Sequence, residues 1–106
     1  MRQLKFLLVG DKFRCGYVIM HYDLIPPENK EEIKGGGYFY LNEDKKVIEL
    51  FGKSGDYGYP RDLQTYNPDQ IREAVREVYN DFDYNLSDLS DYKIIWTNRD
   101  NKEVEL

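Results

Sequence analysis

The sequence has one cysteine and one histidine, and both scarcities exclude classes of protein. Cys15 has no partner for an intrachain disulfide, so nothing in the chain requires an oxidising compartment. A transition-metal site would have to be built mostly from carboxylates, and the aspartates of residues 81–91 follow no recognised ligand spacing. We therefore expect no metal site, and we expect a buried, unreactive thiol at Cys15.

Basic residues are outnumbered by acidic ones, and long apolar runs are absent from the sequence. There are 15 Lys and Arg residues against 20 Asp and Glu, a net charge of −5, which disfavours the broad basic face of a nucleic-acid-binding protein. No segment approaches the roughly 20 apolar residues that cross a bilayer. Residues 1–10 lack the apolar core and cleavage site of a signal peptide. The sequence predicts a cytoplasmic protein with neither nucleic-acid nor membrane partners.

Aromatic residues, by contrast, are plentiful. They make up 15% of the chain, ten of them are tyrosines, and the hydrophobic content of 41% argues against disorder. The length is enough for one modest core, so residues 1–106 are expected to form one domain.

Hydrophobic periodicity predicts an α+β domain of two layers. One layer is a small mixed sheet of five to six strands, and the other is one main helix. Leu4–Val9 is apolar on both faces, which is typical of a strand covered on both sides. Gly16–Tyr22 is predicted as a second strand, with Tyr17, Ile19 and His21 on one face.

The rest of the sheet is expected from a hairpin and a closing strand. The hairpin comprises Tyr38–Leu41 and Lys46–Phe51, and the closing strand covers Tyr92–Thr97. The main helix is predicted over residues 67–79, because Asn67 can cap it and apolar residues recur at helical spacing. Residues 28–33 are polar and could form a short second helix or only a loop.

Three features suggest chemistry, and each has a simpler interpretation when taken alone. A lone histidine such as His21 is more often structural than catalytic. Lys5 alone would be a surface or edge charge. The glycine-rich segment 52–58 would be a turn, although such turns can present backbone N–H groups to an anion.

Taken in order, five segments resemble the phosphohistidine phosphatase family, small one-domain enzymes that remove phosphate from histidine in proteins. Lys5–Val9 resembles the first strand of the family, and His21-Tyr22-Asp23-Leu24 is similar to its His-Ala-Asp-Ile motif. The other three segments are the triple glycine Gly35-Gly36-Gly37 with its hairpin, the loop Phe51–Gly58 and the closing strand Tyr92–Asn98.

The resemblance implies metal-independent hydrolysis of phosphohistidine in a protein, or of a small phosphoramidate. His21 would act as the general base or accept the phosphoryl group itself. The phosphate would be held by Lys5, Tyr22, Ser54, Gly55 and Asp56. No cofactor is expected, because a phosphoramidate is already an activated phosphoryl donor.

Departures from the family leave other functions open. Tyr22 replaces a small residue, Tyr38 replaces an arginine after the glycines, and Asp56 replaces an alanine in the phosphate loop. A like charge at about 4 Å costs roughly 4 kcal/mol at an effective dielectric constant of about 20. The alternative is therefore a non-catalytic module of the same fold that binds phosphate, another anion or a protein. A structural accessory protein is a third interpretation, and the sequence leaves the oligomeric state undetermined.

Overall fold

Within the residues that the structure describes, the secondary structure consists of three pairs of consecutive strands that are separated by a 3₁₀ turn and by an α-helix. The computed structural model describes residues 1–53, 57, 58, 60, 63, 66–82 and 88–106. The strands are β1 (Gln3–Val9), β2 (Lys12–Val18), β3 (Ile33–Asn42), β4 (Val47–Phe51), β5 (Lys93–Thr97) and β6 (Glu103–Glu105). One α-helix, α1 (Pro68–Asn80), and one 3₁₀ turn, His21–Leu24, complete the described part of the chain.

The six strands form one mixed sheet in the order β2-β1-β3-β4-β5-β6. Neighbouring strands are antiparallel except for β4 and β5, which are parallel. Parallel neighbours need a crossover connection, and α1 lies in the one that joins β4 to β5. The predicted α+β class and the predicted strand number are confirmed.

The first hairpin corrects the prediction for the second strand. A two-residue turn at Gly10-Asp11 joins β1 to β2, and Gly10 has the positive φ of 61° that such turns favour. Pairing with β1 therefore starts at Lys12 and ends at Val18. The predicted strand over Gly16–Tyr22 is wrong beyond Val18, because the chain leaves the sheet there and His21 begins the 3₁₀ turn.

Strand β1 is buried on both faces, as its sequence predicts. Phe6 and Leu8 belong to the main core, which also includes the buried face of α1. Leu7 and Val9 project to the opposite face, where they pack with Leu24 of the 3₁₀ turn. Lys5 shares the face of Leu7 and Val9, because side chains alternate along a strand.

The hairpin after the triple glycine is confirmed, but the glycines lie inside β3 rather than before it. Residues 28–33 contain no helix. A turn there is closed by a hydrogen bond from the Asn29 N–H to the Pro26 carbonyl, and the Asn29 side chain bonds the backbone of Glu31. Such side-chain bonds to nearby backbone compete with helix formation.

Helix α1 follows its predicted boundaries to within one residue. The Asn67 side chain accepts a hydrogen bond of 2.8 Å from the Asp69 N–H, which satisfies one of the free donors at the helix start. Three of the apolar residues that recur at helical spacing are buried against the sheet, namely Ile71, Val75 and Val78. Within the described ranges, no helix is long and apolar enough to span a membrane.

Loss of the helix cap has a measurable cost. Replacing Asn67 with alanine removes the acceptor for the Asp69 N–H, so we expect the free energy of unfolding to fall by about 1 kcal/mol. Urea denaturation followed by circular dichroism measures the change. Asn67→Asp keeps a capping oxygen and should lie close to wild type; equal losses in both variants would contradict the capping role.

Candidate functional site

The candidate site lies on the face of the sheet opposite α1, where Lys5, Tyr38 and His21 come together. Lys5 of β1 is directly paired with Tyr38 of β3, so their side chains share one face. The rings of His21 and Tyr38 meet edge to face, with their centroids 5.6 Å apart. Lys5 and His21, 16 positions apart in sequence, therefore belong to one site.

The triple glycine makes room for the imidazole ring. A Cβ atom on Gly36 would lie 3.2 Å from His21 Cδ2 and 2.9 Å from a methyl carbon of Leu7. Any side chain at position 36 would therefore compete with the ring for the same space. The bare backbone lets His21 pack onto β3, where its Nε2 lies 2.9 Å from the Gly37 carbonyl oxygen.

The bond to Gly37 fixes the tautomer of His21. A carbonyl oxygen only accepts hydrogen bonds, so Nε2 carries a proton and donates it. In the neutral ring the lone pair then lies on Nδ1, the nitrogen that can accept a proton or a phosphoryl group. His21 is 7% exposed, and this packing holds the ring in one orientation.

Lys5 is a buried cation without a charged partner among the described residues. It is 6% exposed, and its ammonium donates to the carbonyl of Ile19, in the segment that joins β2 to the 3₁₀ turn. No carboxylate of the described residues forms an ion pair with it. A buried charge that is compensated only by a peptide dipole favours the approach of an anion.

The described end of the glycine-rich segment reaches the same site. The ring of Tyr57 meets His21 edge to face at a centroid distance of 6.3 Å. The N–H of Gly36 donates to the Gly58 carbonyl at 3.3 Å, which attaches this segment to β3. The predicted phosphate-binding residues Ser54, Gly55 and Asp56 lie outside the described residues.

Tyr22 is the second residue of the 3₁₀ turn, and its side chain is 57% exposed. Its carbonyl accepts a hydrogen bond from Ile25, whereas its N–H has no hydrogen-bond partner in the described part of the chain. The Asp23 carboxylate accepts from the Met20 N–H and so closes the start of the turn. If Tyr22 contacts phosphate as the family resemblance implies, its N–H has no partner among the described residues that phosphate would have to displace.

Sequence reasoning missed the two tyrosines that flank His21. Tyr38 reaches the site through its pairing with Lys5, and Tyr57 through the attachment of its segment to β3. Both contacts depend on strand register and on a long-range hydrogen bond. Two signals were available. The triple glycine directly before Tyr38 indicates a close approach to the backbone, and Tyr57 belongs to the loop Phe51–Gly58 of the family resemblance.

Cys15 lies on the other face of the sheet and plays no part in this site. It packs against the main core, and burial raises the pKa of its thiol, with a further increase from the Glu77 carboxylate. A thiol that stays protonated is a poor nucleophile, which agrees with the expected lack of reactivity. The expected full burial is wrong, because Cys15 is only half-buried at the sheet edge. Across the described ranges, no group of three or more His, Cys, Asp or Glu residues is placed to hold a metal ion.

Comparison with protein-family models, curated proteins and solved structures finds no significant match to this chain. The case for a function therefore depends on the geometry around His21 and Lys5 and on the sequence resemblance.

Proposed function

We propose that this protein is a metal-independent phosphatase that acts on phosphohistidine or a related phosphoramidate, with His21 as general base or phosphoryl acceptor. The observation that carries the proposal is the placement of an oriented imidazole on the same face as an ammonium that has no carboxylate partner among the described residues. The imidazole supplies the lone pair for the reaction, and the ammonium supplies the charge that attracts phosphate.

Two routes use the same residues. As a base, His21 Nδ1 takes a proton from water while the water oxygen attacks phosphorus and the P–N bond of the substrate breaks. As an acceptor, Nδ1 forms a P–N bond as the substrate's P–N bond breaks, and water hydrolyses this intermediate afterwards. In the first route the proton that Nδ1 took from water passes to the released imidazole of the substrate. In the second route that imidazole takes a proton from solvent, and hydrolysis of the intermediate by water returns His21 to its neutral form. Inorganic phosphate is the product of both routes.

The surrounding groups have defined tasks in this proposal. The Gly37 carbonyl keeps accepting from Nε2 when the ring is positively charged, which stabilises the imidazolium. Lys5 exchanges the Ile19 carbonyl for phosphate oxygens. The Tyr22 N–H, together with Ser54, Gly55 and Asp56, is proposed to hold the remaining oxygens.

The direct test is phosphate release from a phosphohistidine-containing peptide in the presence of EDTA. We expect release well above spontaneous hydrolysis, because no metal takes part. A peptide of the same sequence with phosphoserine is the matched control and should stay intact, since its phosphate ester is not an activated donor. A rate of phosphate release equal to that of spontaneous hydrolysis would exclude the proposed phosphatase activity.

A second candidate function is a non-catalytic module that binds phosphate, another anion or a protein. The low exposure of His21 favours it, because hydrolysis needs room for an attacking water and a substrate imidazole beside the ring, whereas binding needs room for the anion alone. Saturable binding of phosphate or of the phosphohistidine peptide, with no release, would identify this function.

A further inference from the structure

The outer edge of β2 is an open sheet edge. β2 pairs with β1 and lies at the end of the strand order, and its two-residue turn makes Val9 and Lys12 the first hydrogen-bonded pair. Alternate residues then direct their N–H and C=O groups away from β1, namely Phe13, Cys15 and Tyr17. No hydrogen bond to these backbone groups occurs within the described part of the chain.

A cavity of about 500 Å³ borders this edge at Phe13–Cys15. One wall is the exposed side of α1, with Glu77 and Asp81, and the other wall is the segment Asp23–Pro27. The volume lies within the range of sites that enclose a ligand of several heavy atoms. The cavity is called the β2 groove below.

The two walls of the β2 groove differ in chemistry. The α1 wall carries the apolar Ala74 and Val78 together with two carboxylates, Glu77 and Asp81. Asp81 caps the end of the helix in helical conformation, so these two residues, four positions apart, lie on one side. The opposite wall is mainly apolar, with Leu24, Ile25 and two prolines beside Asp23. Arg14, the one basic residue among the described lining residues, already donates from Nε to the Leu24 carbonyl at 3.0 Å.

We propose that the β2 groove binds an extended segment of a partner protein in which lysine or arginine alternates with apolar residues. Such a segment would pair with the free N–H and C=O groups of β2 as an added strand. Its side chains would alternate between the walls, with basic residues toward α1 and apolar residues toward Leu24–Pro27.

The spacing of the two helix carboxylates fits this arrangement. Residues four apart on a helix have Cβ atoms about 5–6 Å apart, and every second residue of a strand is about 6.6–6.8 Å apart. Two successive basic residues on one face of the added strand therefore have a spacing close to that of Glu77 and Asp81. The proposal does not depend on the function proposed for His21 and Lys5, which lie outside the lining of this groove.

The experiment uses the full chain and three capped hexapeptides. The probe alternates valine and lysine, the charge control alternates valine and glutamate, and the third peptide is the probe with every second backbone nitrogen methylated. Binding is followed by ¹H–¹⁵N NMR and amide hydrogen exchange. We expect saturable shifts and slower exchange at Phe13, Cys15 and Tyr17 with the lysine probe alone.

The charge match is tested with two double variants on α1. Glu77→Gln with Asp81→Asn should weaken binding of the lysine probe about tenfold, the loss expected from two partly exposed ion pairs. Glu73→Gln with Asp69→Asn is the matched control, because these two carboxylates pair with Arg76 and Arg72 outside the groove. It should leave binding unchanged.

Several results would overturn the proposal. Equal binding of the glutamate peptide would exclude the charge match, and equal binding of the methylated peptide would exclude strand pairing. Unchanged affinity of the Glu77/Asp81 double variant for the lysine probe would exclude a contribution of these two carboxylates to binding. Concentration-dependent dimerisation that protects the β2 amides, measured by sedimentation and hydrogen exchange, would assign the groove to a second copy of this chain instead.

Discussion

Replacing Gly37 with alanine is expected to destabilise the protein by about 3 kcal/mol or more, the upper end of what overpacking costs. A Cβ atom at this position would lie 1.9 Å from the Phe51 carbonyl oxygen and 2.9 Å from its carbonyl carbon. Backbone atoms cannot rotate away as a side chain can, so β3 and β4 would have to separate. A loss of this size is a large share of the roughly 5–15 kcal/mol that stabilises a domain.

Heat and urea denaturation followed by circular dichroism measure this loss. Gly16→Ala is the matched control in β2, because its Cβ would meet methyl groups of Leu24 and Val18 at 3.1 and 3.4 Å. These side-chain ends can shift, so the control should cost less than about 1.5 kcal/mol. Equal stability of Gly37→Ala and wild type would contradict the close approach of β3 and β4, and with it the position of the carbonyl that orients His21.

The His21→Ala variant is expected to lose phosphate release from the phosphohistidine peptide by about 100-fold or more, the usual contribution of a general acid–base group. The reason is the removal of the lone pair on Nδ1. Because His21 is also buried, the substitution leaves a space the size of a ring beside Gly36 and Tyr38.

That space provides the control for a purely structural effect. Free imidazole added to folded His21→Ala should restore part of the activity, because it can occupy the vacated position and supply a lone pair. Circular dichroism establishes that the variant is folded. Undiminished phosphate release by His21→Ala would exclude a catalytic role of His21.

Local signals account for the parts of the fold that the sequence predicted. Short segments of the sequence encode the apolar residues on both faces of β1, the Asn67 cap of α1 and the apolar face of that helix. The structure confirms all three. The end of β2 is set by pairing with β1 from the turn at Gly10-Asp11, which is information from another strand. Strand β6 was not predicted, because Glu103–Glu105 is exposed and too short to show an alternation of apolar and polar residues.

The candidate site was predictable to a similar degree. The resemblance selected Lys5 and His21, and the structure places them on one face. Their partners, the carbonyls of Ile19 and Gly37, were not predictable, because they depend on where the chain leaves β2 and on the bare backbone of β3. The roles of Ser54, Gly55 and Asp56 stay predictions.

Lys5 and His21 are proposed to form one anion site together. Titration of ¹⁵N-labelled protein with inorganic phosphate, followed by ¹H–¹⁵N NMR, tests it most directly, with Lys5→Met as the matched variant of similar volume. We expect saturable shifts at the amides of His21 and Tyr22 in wild type and their loss in Lys5→Met. Absence of these shifts in wild type, or their persistence at the same phosphate concentrations in Lys5→Met, would contradict the proposed site.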